Sequence, residues 1–442
     1  MRWKWFSAVT CFLFSLTNAK AELPWPQFRG PDGQGISNAT GLPLRWDEST
    51  NIVWKTPVIG VGWSSPVVAD GKIWLTSATE VAASEAERLA KGTNPAGMKL
   101  EVAHTITLWV SEVDLSTGKL LRKIKLADVD APQAIHPLNS YASPTPVLAE
   151  GRLYCHFGDY GTFCLDTTEG KVLWQKRIRI EHAVGPGSSP LLFEDLLVLT
   201  CDGMDAQYIL ALHAADGTKA WQTDRPPLRT DVPDFRKSFS TPLLINIHGE
   251  DQLVIPGSQW CVAYAPRTGK EIWRVDHGRG FSLAPRPVYD GQHVYICTGF
   301  MRPELVAIRP DGHGDVTETH VDWKKSKQIP NSPSPLVYGQ RIYTINDSGI
   351  AQCFDTTSGN QLWKKRIGGK FSASPLYADR RIYLCSREGR TTVIAAGDEY
   401  QELAQNDLEG QLMASPVVAE GDLLLRTDTH LYRISDDDRS EK

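Results

Sequence analysis

Residues 145–176 read TPVLAEGRLYCHFGDYGTFCLDTTEGKVLWQK, and they contain a pattern that recurs along most of the chain. A small residue precedes a proline, two or three apolar residues follow, and a tight turn leads into a second apolar run. Repetition at a fixed period is typical of repeat folds and outweighs any single residue. The pattern begins eight times, at Ser65-Pro66, Thr145-Pro146, Ser189-Pro190, Thr241-Pro242, Arg286-Pro287, Ser334-Pro335, Ser374-Pro375 and Ser415-Pro416.

Each copy contains four short apolar runs that are bounded by turn residues. Runs of this length, rich in Val, Ile, Leu, Tyr and Trp, predict strands and not helices. In several copies a tryptophan follows the last turn glycine by four residues, as Trp174 follows Gly170, and its wide ring can cover the gap between neighbouring sheets. We therefore predict an all-β fold, an eight-bladed β-propeller of four-stranded blades, because radial stacking leaves few exposed strand edges.

The eighth copy has only three strand-like runs, which end at residues 431–434. Residues 51–58 can supply the missing strand, with Trp54 in the outer position, so we predict that an N-terminal strand closes the last blade. The predicted domains are an irregular N-terminal segment over 22–50, a single propeller over 51–435 and an acidic tail over 436–442. Blade 1 carries a predicted insert over 79–105, with a helix over 80–91.

The first 21 residues are typical of a secretory signal peptide. Arg2 and Lys4 give a positive start, residues 6–16 are apolar, and Ala19-Lys20-Ala21 matches a small-x-small cleavage site. We predict export to the periplasm or beyond, with cleavage after Ala21; a retained, uncleaved anchor is the alternative. No other segment is apolar over the roughly 20 residues that a membrane helix needs, so no transmembrane span is expected in the mature chain.

Charge and cysteine content exclude several classes of protein. The net charge of −5 is spread without long runs, whereas a nucleic-acid-binding protein needs a basic stripe to neutralise phosphates. The cysteines show neither a CxxC motif nor zinc-site spacing. Cys164 and Cys353 align with alanines in other copies, which predicts buried free thiols. A disulfide between Cys155 and Cys164, on one hairpin, is the open alternative.

The turn and tryptophan of the repeat resemble the pyrroloquinoline-quinone (PQQ) repeat. Good instances are residues 165–174, LDTTEGKVLW, and residues 264–273, YAPRTGKEIW. The opening residues 25–33, WPQFRGPDG, are similar to the leader of secreted planctomycete-type PQQ-like propellers. The resemblance covers about residues 24–434. It implies an eight-bladed propeller of a family that includes PQQ- and calcium-dependent quinoprotein dehydrogenases and BamB-like scaffolds of outer-membrane protein assembly.

The resemblance leaves the function open between these two classes. Many of the dehydrogenases hold adjacent cysteines against the cofactor, but this chain has no Cys-Cys pair, and no Glu/Asn/Asp calcium set can be aligned. We therefore expect an exported, non-catalytic scaffold for a protein or peptide partner in the cell envelope, with no cofactor, metal or catalytic residue. The alternatives are a PQQ- and calcium-dependent dehydrogenase acting on alcohols or sugars, and a carbohydrate-binding module.

The segments that lead into the eight first strands are expected to converge on one mouth of the central channel. Their cations and aromatic rings would suit an acidic ligand, a carbohydrate or an extended peptide. The alternative is that the rings pack between blades and the cations are solvated. The candidate ligand-binding residues are Trp63, Tyr141, Arg236, Lys237, Arg279, Phe281, Lys370 and Phe371.

Isolated polar residues are weaker candidates. Asp159, Asp202 and Asp205 could contribute to a calcium site, but no EF-hand-like spacing supports it, so we interpret them as surface turns. His136, His182 and His277 are expected to be exposed or hydrogen-bonded loop residues.

Overall fold

Eight sheets of four antiparallel strands, one of them with a short fifth strand that pairs parallel, stand around a common axis, which confirms the predicted propeller. The computed structural model describes residues 24–94 and 97–436, so the predicted signal peptide and residues 437–442 of the predicted tail lie outside the described residues. The first strands of neighbouring blades approach one another around the axis, and the fourth strands lie at the rim. None of the described helices is long and apolar enough to cross a membrane.

The blades are numbered along the chain, and their strands are given from the axis outward. Blade 1 has Val67–Ala69, Lys72–Ala82, Ala103–Asp114 and Leu120–Asp130; blade 2 has Val147–Ala149, Arg152–His156, Thr162–Asp166 and Val172–Lys176; blade 3 has Leu191–Phe193, Leu196–Asp202, Gln207–His213 and Lys219–Asp224; blade 4 has Leu243–Ile247, Glu250–Pro256, Trp260–Tyr264 and Glu271–Asp276. Blade 5 has Val288–Tyr289, Val294–Cys297, Leu305–Ile308 and Val321–Lys325; blade 6 has Leu336–Tyr338, Arg341–Ile345, Ile350–Asp355 and Gln361–Arg366; blade 7 has Leu376–Ala378, Arg381–Cys385, Arg390–Ala395 and Glu402–Asp407; blade 8 has Val417–Ala419, Asp422–Arg426, His430–Ile434 and Ile52–Pro57. The remaining elements are a helix, Glu85–Lys91, two 3-10 turns, Gly158–Tyr160 and Pro233–Phe235, and a short strand, Gly314–Asp315, beside the outer strand of blade 4.

The ring closes in blade 8, as predicted, because the strand Ile52–Pro57 pairs antiparallel with His430–Ile434. Trp54 lies opposite Arg433, and its indole Nε1 donates to the carbonyl of Leu115 in blade 1 at 2.9 Å. The last blade therefore contains strands from both ends of the described chain and docks on the first blade.

A chain of hydrogen bonds explains why a hydroxyl residue so often precedes the repeated proline. The amide N of Ser65 donates to Oγ1 of Thr145 at 2.9 Å, and the amide N of Thr145 donates to Oγ of Ser189 at 2.9 Å. Equivalent bonds join Ser189 to Thr241, Arg286 to Ser334, Ser334 to Ser374 and Ser374 to Ser415. In six of the eight copies the side chain before the proline thus satisfies a buried backbone donor of the preceding blade, which buried polar groups require.

The spacing of glycine and tryptophan fits the packing between blades. The outer-strand tryptophan of one blade donates its indole N–H to a turn carbonyl of the next blade: Trp174 to Ala214, Trp221 to Pro266, Trp323 to Thr356 and Trp363 to Gly397. Gly217 shows why the turn needs glycine, since its φ is +71° and an added Cβ would lie 2.7 Å from the ring of Trp174. The seams that follow blades 2, 3, 5 and 8 therefore join a tryptophan to the turn glycine of the following blade, namely Gly217, Gly269, Gly359 and Gly118.

Two blades lack the outer-strand tryptophan, and each seam is completed differently. In blade 1, Arg122 pairs with buried Glu112 and donates from Nη1 to the carbonyl of Thr168 in blade 2 at 2.9 Å. In blade 7, Ala404 occupies the outer-strand position that tryptophan holds in other blades. Trp46 from the N-terminal segment stacks on Tyr383 there, with ring centroids 6.3 Å apart. The seventh seam is thus filled by a tryptophan from outside the repeat.

Blade 1 is longer than the others, but its insert is mainly strand. Its second and third strands stay paired as far as Ala82 opposite Ala103, and only residues Glu85–Lys91 form the helix. The predicted helix over 80–91 is therefore too long at its start. Ser84 begins the helix with a capping box. Its hydroxyl accepts from the amide of Glu87, and the Glu87 carboxylate accepts from the amide of Ser84.

The seven cysteines of the described residues are buried free thiols, as the alignment with alanine predicted. Cys155 lies opposite Phe163, whereas Cys164 lies opposite Tyr154. The two cysteines thus belong to adjacent cross-strand pairs, and their side chains point to opposite faces of the sheet. They belong to different apolar clusters on the two faces of blade 2. This arrangement rules out the alternative disulfide between Cys155 and Cys164.

Candidate functional site

The loops that connect the strands lie on the two opposite faces of the ring. Because the strands are antiparallel, the loops leading into the first strands share one face with the loops that join second to third strands. We call this the open face. The other face carries the turns between first and second strands and the glycine turns before the outer strands. We call it the leader face, because the leader, residues 24–50, lies on it.

The leader covers the channel end at its own face. Trp25 exchanges two backbone hydrogen bonds with Val68 of blade 1, and Pro26 accepts from the amide of Leu148 in blade 2 at 2.8 Å. Further along, Gln34 bonds the backbone of blade 5 and Gly35 that of blade 7. The leader then runs outward along blade 7, places Trp46 in its seam and reaches the rim at blade 8.

Three of the candidate mouth residues are part of the scaffold. Tyr141 and Phe371 are each 1% exposed and belong to apolar clusters between blades, which corrects their assignment to a ligand-binding surface. Lys237 is buried, and its Nζ pairs with the Asp234 carboxylate at 2.6 Å, so its charge is already compensated. The alternative considered above therefore holds for the rings of Tyr141 and Phe371, which pack between blades, but not for Lys237, which is buried and not solvated.

The other five candidates remain nearer the surface of the open face. Arg279 and Lys370 are exposed, Trp63 and Phe281 are half-buried, and half-buried Arg236 donates to Oε1 of Gln207 at 3.1 Å. They do not form one cluster. The segments of Arg236 and Phe281 adjoin at blades 4 and 5, since the amide of Ser282 donates to the carbonyl of Lys237 at 2.7 Å. Trp63 and Lys370 belong to the approaches to blades 1 and 7.

An exposed aromatic patch lies where the loops of blades 4 and 5 meet on the open face. The ring of Phe281 lies 4.6 Å from that of Phe235 and 6.5 Å from that of Phe300, centroid to centroid. Phe235 is 39% exposed, Phe300 45% and the adjoining Met301 75%. Val232, in the same loop as Phe235, is also exposed. We define the aromatic patch as Val232, Phe235, Phe281, Phe300 and Met301.

Cations flank this patch, and a buried ion pair joins the neighbouring blades 3 and 4. Arg279 and Arg302 are exposed in the loops that carry Phe281 and Phe300. In blade 3, Arg225 makes a two-pronged contact with Asp202, at 3.1 Å from Nε and 2.7 Å from Nη2, and its Nη1 donates to the carbonyl of Ile255 in blade 4. Burial raises the pKa of the Asp202 carboxyl, and Arg225 opposes that shift. Asp202 is buried, so its interpretation as a surface turn is wrong.

Buried histidines support the loops of the same face. His182 accepts at Nε2 from the amide of Asp159 at 2.8 Å, and His277 bonds the carbonyl of Gly257 through Nε2 at 2.9 Å. Burial lowers the pKa of each imidazole to about 4, so both are neutral at pH 7. Asp159 is itself buried and pairs with Arg177 at 2.9 Å, so it too is not a surface turn.

The described residues contain no cluster of side chains that could hold a metal ion. Within 24–94 and 97–436, no three His, Cys, Asp or Glu side chains are grouped as a metal site would require. Asp159 and Asp202 are both engaged by arginines. These two carboxylates therefore do not fit a calcium site.

Of the aromatic patch, the sequence predicted only Phe281; it did not predict Phe235 and Phe300, or the adjoining Val232 and Met301. The aligned segments before each first strand included Phe281, but Phe235 lies earlier in the long loop between blades 3 and 4, and Phe300 lies between the second and third strands of blade 5. The available signal was loop length, because the connection between Asp224 and Leu243 is much longer than those of most other blades.

Known proteins match this chain in sequence. A family model described as outer membrane protein assembly factor BamB matches residues 107–258, 257–347, 315–401 and 347–442. A protein of that name from Salmonella typhimurium is 24% identical over 320 residues, which cover 67% of this chain and 75% of the relative. The factor from Burkholderia pseudomallei is 24% identical over 94 residues, 21% of this chain and 24% of the relative.

Solved structures share the fold. BamB from Moraxella catarrhalis has a TM-score of 0.52 at 13% identity, covering 77% of this chain and 95% of its own. A quinohemoprotein alcohol dehydrogenase from Comamonas testosteroni has a TM-score of 0.64 at 11% identity, covering 94% and 81%. At these identities the structures establish a common propeller and not a common activity. Because the family model spans most of the sequence, the chain belongs to the BamB family of PQQ-repeat propellers.

Proposed function

We propose that this chain is an exported, non-catalytic scaffold that binds a protein partner in the cell envelope through the aromatic patch on its open face. The observation that carries the proposal is the exposure of Phe235, Phe300 and Met301 side by side on a folded surface. Contiguous apolar patches on folded proteins usually mark interaction sites, and aromatic and Met side chains are enriched in protein interfaces.

The charges around the patch favour a partner segment that combines apolar and acidic residues. Arg279 and Arg302 flank the rings and are exposed, so an acidic group of the partner can approach them as the rings become covered. Such complementarity contributes mainly to specificity and to the rate of association, while buried aromatic anchors contribute most of the affinity.

Membership of the family supports a role in the envelope. The curated relatives from Salmonella typhimurium and Burkholderia pseudomallei are named outer membrane protein assembly factors. We therefore propose that the partner is a protein of the outer-membrane assembly machinery. The apolar segment at residues 6–16 and the small residues Ala19 and Ala21 support export with cleavage after Ala21, and a location in the periplasm.

The test compares two double variants with matched exposure. Phe235→Ser with Phe300→Ser removes the anchors, which are 39% and 45% exposed; Leu173→Ser with Leu362→Ser removes leucines that are 44% and 39% exposed on outer strands. Tagged chains are recovered from cross-linked envelopes, and co-purified assembly proteins are quantified by mass spectrometry. Recovery should fall at least about tenfold for the phenylalanine variant only.

Two results would contradict the proposal. One is equal recovery of assembly proteins by both double variants, and the other is no assembly protein above background with the unmodified chain. The catalytic alternative has a separate readout: dye reduction by the chain mixed with PQQ and calcium, in the presence of an alcohol or a sugar, would support a dehydrogenase. Retention on polysaccharide resins would support the carbohydrate-binding alternative.

A further inference from the structure

The ring of hydroxyl groups around the axis is interrupted in blade 5 by Arg286. This arginine occupies the position that Ser or Thr holds in the other seven copies, and only 1% of it is exposed. Its Nε donates to the carbonyl of Pro242 in blade 4 at 3.0 Å, and its Nη1 donates to the carbonyl of Phe28 in the leader at 2.5 Å. A cation thus stands inside the channel, directly under the leader.

A second arginine enters the same region from the leader itself. Arg29 is 2% exposed, and its Nη2 donates to the carbonyl of Pro335 in blade 6 at 2.8 Å and to that of Gln34 at 2.5 Å. Pro242 and Pro335 are equivalent prolines of the repeat, in the blades on either side of blade 5. The two guanidinium groups therefore lie at the same level of the channel.

The charge of this pair is not balanced by nearby carboxylates. Among the described ion pairs, none involves Arg29 or Arg286, and Nε and Nη1 of Arg29 have no hydrogen-bond partner in the described part of the chain. Asp32 acts on both arginines from a distance, but it is exposed to solvent. Burial lowers the pKa of Arg286 to about 10, and burial and the charge of Arg286 lower that of Arg29 to about 9.

We propose that the channel beneath the leader binds a small inorganic anion, held by the guanidinium groups of Arg29 and Arg286. A buried cation is strongly unfavourable unless it is paired and hydrogen-bonded, and an anion supplies both the counter-charge and the acceptors that Arg29 Nε and Nη1 lack. A cavity of about 270 Å³ beside the leader is lined by Gln27, Gln34, Asn246 and Arg286, and also by Asp32, so Arg286 borders space that a small ion can enter.

Anomalous scattering locates such an ion directly. Crystals of the whole chain are grown with sodium bromide, and data are collected at the bromine absorption edge. We expect an anomalous peak within hydrogen-bond distance of Arg29 or Arg286. Crystals of the Arg286→Ser variant, which restores the hydroxyl of the other copies, should lack it. No peak in the channel of the unmodified chain, or an equal peak in the variant, would overturn the proposal.

Solution measurements test the same site without a crystal. Chloride or inorganic phosphate replaces gluconate at constant ionic strength, and the thermal unfolding midpoint is followed. Binding to the folded state predicts a saturable rise. The apparent affinity should weaken at least about tenfold in Arg286→Ser and stay unchanged in Arg366→Ser, which removes an exposed arginine of an outer strand. No saturable rise with either anion, or an equal rise in all three proteins, would overturn the proposal.

Discussion

The two faces of the ring are built from the same repeat but differ in what they leave accessible. At the leader face, residues 24–50 cover the channel with backbone hydrogen bonds and buried side chains such as Trp25 and Trp46. At the open face, phenylalanines of three different loops stay partly exposed beside free cations. The difference comes from sequence outside the repeat, namely the leader on one face and the long loops of blades 3–5 on the other.

This contrast assigns different roles to the two faces. Substitutions at the leader face should reduce the free energy of unfolding, since the side chains there are buried and bonded. Substitutions in the aromatic patch should leave stability nearly unchanged and reduce binding. Stability and binding measurements on the same variants separate these two effects.

Lowering the pH should reduce the free energy of unfolding through the buried histidines that hold the loops of the open face. Burial lowers the pKa of His156 to about 3 and that of His182 and His277 to about 4, below the value of about 6.5 in an unfolded chain. The stability that these neutral imidazoles contribute is therefore complete above about pH 6.5 and is lost as the pH falls toward the folded-state pKa values. Each histidine should lower the free energy of unfolding by up to about 1.4 kcal/mol per pH unit.

Urea unfolding between pH 7 and pH 5 measures this dependence. The His182→Gln variant keeps an acceptor for the amide of Asp159 but cannot take up a proton. Its free energy of unfolding should therefore depend less steeply on pH, by the equivalent of about one proton taken up on unfolding. An unchanged slope in the variant would show that His182 is not a buried neutral group of the folded state.

Removing Trp46 should produce the next largest effect. Its side chain is 3% exposed and fills the seam of blade 7, so Trp46→Ala is expected to lower the free energy of unfolding by about 3–5 kcal/mol. Half-buried Trp63 of the open face is the control, and Trp63→Ala should cause a smaller loss. Equal losses in denaturant unfolding would break the contrast between the two faces.

The glycine turns of the leader face allow a controlled test of the seams. Gly217→Ala introduces a Cβ 2.7 Å from Trp174 at a φ of +71°, whereas Gly249→Ala does so at a φ of +90° with nothing within 4 Å. We expect losses of about 2–4 kcal/mol for Gly217→Ala and about 1–2 kcal/mol for Gly249→Ala. If both variants lose the same stability, the positive φ alone explains the repeated glycine, and close packing against the tryptophan contributes nothing.

The smallest effect on stability is expected in the aromatic patch. Phe300→Ser changes a side chain that is 45% exposed, so the free energy of unfolding should shift by less than about 1 kcal/mol. Circular dichroism during thermal unfolding is a sufficient measurement. A large destabilisation would place Phe300 in the supporting structure and would remove it from the proposed docking surface.

The fold was largely predictable because the repeat encodes it locally. The Ser/Thr-Pro motif, the turn glycine and the outer tryptophan each make one contact with a neighbouring blade, and the contact recurs at a fixed spacing. Closure followed from counting strands, since the eighth copy lacked one and residues 51–58 remained. The free thiols followed from the alignment of Cys164 and Cys353 with alanine.

The site was less predictable because it depends on residues outside the alignment. Tyr141 and Phe371 lie in the same kind of approach segment as half-buried Trp63 and Phe281, but local packing buries them completely. Trp46 lies far in sequence from the seam that it fills. The available signal was that the leader contains a tryptophan without a place in the repeat, while blade 7 lacks its outer-strand tryptophan. The patch forms by convergence of three loops, and periodicity gives no information about such a meeting.

Site-specific photo-cross-linking can show which face of the ring contacts the partner in intact cells. A photoreactive phenylalanine analogue replaces Met301, which is 75% exposed in the patch, or Tyr338, which is 43% exposed at the end of a first strand on the leader face. After irradiation of intact cells, position 301 should cross-link to a protein of outer-membrane assembly and position 338 should not. No adduct from position 301, or the same adduct from both positions, would contradict the assignment of the open face as the docking surface.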